Sequence, residues 1–179
     1  MQYRLEDFRQ GKGDVVNFYL ALALALALSI SLQKVSIHSV TLDRLANLAE
    51  SALPFESCAL LLGEEMHTNR NILEMFVLTN HDRSPISFSV DPDDLFCAYE
   101  HARKIELDIV GIFHSHPSMP RPSRKDIKFM QLNPIVWLIY STLSHTFSAF
   151  MYSGMVMHVH MGLIKDEGVR HPWGIIQPL

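Results

Sequence analysis

The chain has 179 residues, 48% of them hydrophobic, which is enough for one core and too little for two full domains. A formal net charge of -4, from 15 Lys+Arg against 19 Asp+Glu, excludes a basic nucleic-acid binder, and the apolar content excludes a disordered chain. With only Cys58 and Cys97, a disulfide-stapled scaffold and a cysteine-rich zinc finger are excluded too.

Residues 1–14 are rich in charge, and Val15 to Gln33 then carries none over 19 residues. Leucines and Ile30 alternate there with Ala and Ser, formally a strand pattern, but Ala and Leu are strong helix formers. A helix of that length spans about 28 Å, close to the hydrocarbon thickness of a bilayer. A signal peptide fits poorly with Glu6, Asp7 and Asp14 ahead of the run, whereas a helix packed on the domain or on a second copy fits the same residues. The organisation expected is an N-terminal segment, 1–33, whose hydrophobic helix over 15–33 inserts in a membrane, followed by one domain over 34–179.

From Lys34 the pattern is that of an α/β domain. Val35 and Ile37 alternate as a short strand, and Leu42, Leu45, Leu48, Ala49 and Ala52 recur at helical spacing. Cys58 to Gly63 is a continuous apolar run of the kind a strand buried on both faces shows, and Ile72 to Leu78 and Ile86 to Val90 are further strands. Asp91-Pro92 starts a helix through Leu95, Ala98, Tyr99, Ala102 and Ile105. Ile109 to Phe113 is another buried strand, followed by a proline-broken loop and a helix from Ser123. Three apolar runs, Pro134 to Ser141, Thr146 to Ser153 and Met155 to Met161, close the domain at hairpin spacing.

The stretch from Phe113 to Asp126 is where chemistry concentrates. His114 and His116, two apart at the end of a strand, project from one face and can converge on one ion. Ser123 places Asp126 in the first turn of the next helix, from which its carboxylate can close the site. Two imidazoles and a carboxylate are the set expected for one catalytic zinc per chain with a position left for water. Read separately, a His-x-His is a weak signal, and Ser123-Arg-Lys-Asp126 is an ordinary capping box.

In combination these residues resemble the JAMM (MPN, or JAB) metalloproteases, whose signature is a distant Glu, then His-x-His-Pro, then Ser-x-x-Asp. His114, His116 and Asp126 match the zinc ligands, Pro117 the proline and Ser123 the serine. Glu56, just before the strand that ends in Gly63, matches the Glu; Asn80 and Phe88-x-Val-Asp-Pro92 are further similarities. The loop Pro117 to Pro122 is one residue shorter than is usual in the family, a length change that an irregular loop absorbs. The resemblance covers roughly 34–163 and looks most like the stand-alone prokaryotic members, given the short connection from Gly63 to Leu73.

The resemblance implies a cytidine-deaminase-like domain with a central curved mixed sheet flanked by helices. It implies a zinc isopeptidase in which Glu56 is the general base and Ser123 donates a hydrogen bond to the water or the developing oxyanion. The partner implied is a ubiquitin-like protein or its conjugates, its tail added as an edge strand, with no nucleic acid. Such conjugates place the domain on the cytoplasmic side of any membrane helix. A metal-free scaffold of the same fold is the alternative from another class, as is a zinc hydrolase of a sulfur-carrier adduct or a cell-wall peptide. His158 and His160 read as the polar face of a last strand, and Arg121, Arg124, Lys125 and Lys128 as a solvated helix face beside the site. Cys58 and Cys97 lack the electropositive neighbours of a nucleophile.

Overall fold

The computed structural model describes residues 33–66, 68–86 and 88–164. In chain order the elements are β1 (Lys34–His38), α1 (Ser39–Ala52), β2 (Cys58–Met66), β3 (Asn69–Leu78), α2 (Pro92–Lys104), β4 (Asp108–His116), α3 (Arg124–Leu132), β5 (Val136–Ser141), β6 (Thr146–Tyr152) and β7 (Val156–Ile164). The helix expected over 15–33 falls, apart from Gln33, outside these residues. Among the described residues no helix is long and apolar enough to cross a membrane.

The sheet is mixed, as expected, but it closes. Its order is β1-β3-β2-β4-β5-β6-β7, and β1 pairs parallel to β3 on one side and to β7 on the other. The curved mixed sheet expected is present, and its closure into a seven-stranded barrel is the feature the sequence reading lacked. Every strand has two neighbours, but β1 pairs with β3 only over Asn69–Ile72, so the second half of β3 has β2 alone beside it. The β4–β5 pair is also parallel, and the remaining pairs are antiparallel.

The uninterrupted apolar runs are explained by cover on both faces. In β2, Ala59 and Leu61 pack with Leu45 and Ala49 of α1, while Cys58, Leu60 and Leu62 pack with Ala98 and Ala102 of α2. The small Ala98 and Ala102, one turn apart, allow α2 to lie close to the sheet. In β5 the same division puts Leu138 and Tyr140 on the α1 side and Trp137 and Ile139 against Met130 of α3. Gly63 sits where the β2–β3 register shifts; a Cβ there would lie 1.8 Å from the Asn71 carbonyl oxygen, so the ladder admits only glycine.

The described residues of the strand expected over 86–90, Ile86 and Phe88 to Val90, do not form one. The segment's polar groups serve loop contacts: the Ser84 carbonyl accepts from the Glu56 N–H at 3.0 Å, and the Ser89 carbonyl accepts from the His81 N–H at 3.0 Å. The apolar alternation reflects Phe88 and Val90 packing on the α2 side of the sheet from a loop.

Candidate metal centre

β4 ends in His114 and His116, which share the face that carries α2 and α3. His114 is fully buried and His116 nearly so. Trp137 of β5 meets the His114 ring edge-on with centroids 5.8 Å apart, and the Phe88 ring lies tilted against it at 5.2 Å. Those two aromatic rings fix the imidazole before any ligand arrives.

Asp126 comes from the first turn of α3. Ser123 is the N-cap; its Oγ accepts from the Asp126 N–H at 3.2 Å, and Asp126 Oδ2 accepts from the Ser123 N–H at 2.6 Å. The capping box therefore aims the carboxylate at the histidines. His114 Nε2 is 3.0 Å from His116 Nε2 and 3.5 Å from Asp126 Oδ1, and His116 Nε2 is 3.3 Å from Asp126 Oδ2.

These separations test whether the group fits a metal ion. Tetrahedral zinc bound at 2.0–2.1 Å has ligand-to-ligand edges of roughly 3.3 Å; the two histidine nitrogens are close to that separation, and with one oxygen from Asp126 all three ligand atoms lie within 4.8 Å of one another. Among the described residues, this trio is the group of His, Cys, Asp and Glu side chains that could hold an ion. Two imidazoles and a carboxylate suit zinc and other borderline divalent ions. His158 and His160 are exposed on β7, the former with its ring edge on Phe150, and they stand outside the cluster.

Glu56 completes the site from the segment before β2. It is 5% exposed, with Oε1 3.7 Å from His116 Nε2. Burial pushes its carboxyl up from 4.5 to about 7, against the pull of His116 and with a further push from Asp126. Burial raises Asp126 as well, but the hydrogen bonds of His114, His116 and Ser123 outweigh it and hold that carboxylate well below its usual range. Burial lowers His114 against the pull of Asp126. In His116 burial also lowers, yet Asp126, Glu56 and a backbone hydrogen bond at Met119 prevail and raise it.

The four residues that the sequence singled out as ligands and base thus meet in one buried cluster, and Ser123 borders it through Asp126. Three further contributors carried no signal of their own: Trp137 behind His114, and the buried pair Ser57 and Ser115. Cys58 is buried with its thiol pushed up to about 12 by burial, while Cys97 lies exposed on α2. The basic residues beside the site are exposed, and Lys125 pairs with Asp82 at 3.6 Å.

A closed mixed barrel with helices packed on it, and a buried His-His-Asp group that could hold a metal ion with the Glu56 carboxyl close by, define an α/β domain with a candidate metal centre. The chain belongs to the prokaryotic homologs of the JAB domain, whose family model matches residues 38–152. It is 40% identical over 90 residues to the desampylase of Pyrococcus furiosus, a stretch covering 50% of this chain and 61% of that protein. The match therefore spans less than two thirds of that relative. Among solved structures, a Desulfitobacterium hafniense protein is similar with a TM-score of 0.66 and 29% identity, covering 76% of this chain and 99% of that one. A Salinibacter ruber protein shares the fold at a TM-score of 0.57 and 22% identity, over 76% and 95% of the two chains.

Proposed function

We propose that this chain is a zinc-dependent isopeptidase that hydrolyses the amide bond following a ubiquitin-like modifier. His114, His116 and Asp126 would hold one zinc ion and Glu56 would be the general base. The observation that carries the reading is the 3.7 Å approach of the buried Glu56 carboxylate to His116, whose ring nitrogen converges with His114 and Asp126. A relative named for removing a modifier supports the substrate class.

When bound, zinc would supply Lewis-acid polarisation of the carbonyl and bring the acidity of a water close to neutral. Glu56 would accept the proton of a water that adds to the carbonyl carbon. Burial that raises this carboxyl above its ordinary value in the metal-free chain supports the reading, since a base must both take a proton and return it. Glu56 then delivers the proton to the amide nitrogen as the C–N bond breaks, releasing a carboxylate and an amine. The Ser123 Oγ already accepts from the Asp126 N–H, which leaves its O–H to donate to the developing oxyanion. The membrane helix expected over 15–33 rests on residues outside those described and forms no part of this reading.

The test is release of a ubiquitin-like modifier from a lysine-linked conjugate by the purified chain, followed by mass spectrometry with chelator and with zinc restored. The reading expects release that stops with chelator and returns with zinc. Release that is indifferent to chelator would overturn the zinc assignment, and no release by the zinc-loaded chain would overturn the substrate class.

A further inference from the structure

We propose that Ser115, the residue between the two histidines, is a positioning residue whose hydroxyl locks the base to the metal-binding strand. This rests on the reading of Glu56 as the base. The β2–β4 ladder has its last pair at Cys58 and His114. One residue further, Ser115 donates its N–H to the Ser57 carbonyl at 3.0 Å. In a regular antiparallel pair the Ser57 N–H would return to the Ser115 carbonyl. It goes instead to the Ser115 hydroxyl oxygen at 2.9 Å, and the Ser57 hydroxyl donates to that same oxygen at 3.1 Å.

Both residues are buried, Ser57 at 5% and Ser115 at 2% exposure, so water does not replace these bonds. A hydroxyl oxygen has two lone pairs, and here both are used by one residue of the facing segment. Ser57 directly follows Glu56, and Ser115 directly precedes His116. The node therefore sits at the base of the two side chains whose tips are 3.7 Å apart. Glu56 is braced from its other side, since its N–H donates to the Ser84 carbonyl and its carbonyl accepts from Asn80 Nδ2 at 2.7 Å. Those bonds tie Glu56 to the 79–91 loop, whereas the serine node ties it to the strand that carries the ligands.

The consequence separates two properties of the site. Loss of the Ser115 hydroxyl leaves His114, His116 and Asp126 in place, so metal binding persists. It frees the Glu56 segment to drift, and a displacement near 1 Å at a reacting group costs on the order of 10²-fold in rate. Because Glu56 acts on the chemical step, the loss falls on kcat.

The experiment compares the full chain with Ser115→Ala, Ser115→Cys, Ser115→Thr and Glu56→Gln. Zinc content and the visible spectrum of the cobalt-substituted protein report the ligands. The 13C resonance of the Glu56 carboxyl reports the base without recourse to activity. In Ser115→Ala we expect unchanged metal content and cobalt spectrum, a shifted Glu56 resonance, kcat lower by about 10- to 100-fold and KM within about 2-fold. Ser115→Cys keeps the shape with a slightly larger atom and exchanges the hydroxyl for a weak acceptor, so it gives the same result should the alanine variant fail to fold. Ser115→Thr, which retains the hydroxyl, restores both the resonance and kcat. An unmoved resonance with parental kcat in a folded Ser115→Cys chain would overturn the proposal, as would metal loss in proportion to activity. Parental turnover by Glu56→Gln would instead overturn the general-base reading; an inactive Glu56→Gln beside fully active Ser115 variants overturns the serine node alone.

Discussion

Glu56→Gln separates stability from activity in one substitution. In the folded chain burial holds the Glu56 carboxyl near 7, whereas the ordinary value is 4.5. The folded state thus binds this proton more tightly than the unfolded state does. Its contribution to stability is fully present below 4.5 and is lost as pH rises to about 7, beyond which the metal-free chain carries a buried anion. At 1.36 kcal/mol for each tenfold change in proton affinity, the gap corresponds to about 3 kcal/mol. Glutamine has the same shape and no charge to bury. The metal-free Glu56→Gln chain should therefore match its parent near pH 4.5 and exceed it by up to about 3 kcal/mol at pH 8. Urea unfolding in the presence of chelator at both pH values measures the difference, which includes the change that losing the Glu56 charge makes to His116. The same variant, loaded with zinc, should lose about 10²- to 10⁴-fold in hydrolysis. A stability gap that stays constant with pH, or one of opposite sign, would refute the argument that burial raises the carboxyl.

His114→Ala combined with His116→Ala should reduce zinc from one ion per chain to a trace, measured by elemental analysis after gel filtration; equal zinc in both samples would remove the site. Gly63→Ala forces a Cβ to within 1.8 Å of the Asn71 oxygen, so about 3 kcal/mol of stability should be lost in a denaturant titration. Ser123→Ala removes the acceptor for the Asp126 N–H and should cost about 1 kcal/mol. If its hydroxyl also serves the oxyanion, kcat falls by a further factor of about 10², separable from the stability loss by assay well below the melting temperature.

What the sequence made legible were features that a few neighbouring residues determine. The runs at Cys58–Gly63 and Val136–Ser141 show both faces of a strand covered, and the histidine spacing in β4 follows from a two-residue period. Ser123 and Asp126 are legible because a capping box is local. Closure of the barrel was not legible, since it depends on Lys34 pairing beside His160 across most of the domain. The alternation over 86–90 misled because burial of Phe88 and Val90 in a loop leaves the same trace as a half-buried strand. Glu56 stands out in the sequence only through resemblance; taken alone, a glutamate after Pro54-Phe55 reads as a solvated turn residue. Ser57 and Ser115 left no trace, as their role arises from two segments meeting 58 residues apart.

The site also explains how one buried cluster gives opposite protonation states to neighbouring groups. Removal from water penalises whichever form is charged, so it drives His114 toward neutral imidazole, the form that binds a metal. Asp126 suffers the same penalty, but the α3 N-terminus supplies the Ser123 N–H and the histidines supply theirs, and the carboxylate stays ionised as a ligand must. Glu56 lies in the same cluster without that set of donors to its carboxylate, and burial prevails. The two carboxyl groups are thereby pushed in opposite directions from similar starting values. That divergence agrees with the roles proposed for them, Asp126 as the ionised ligand and Glu56 as the group that exchanges a proton.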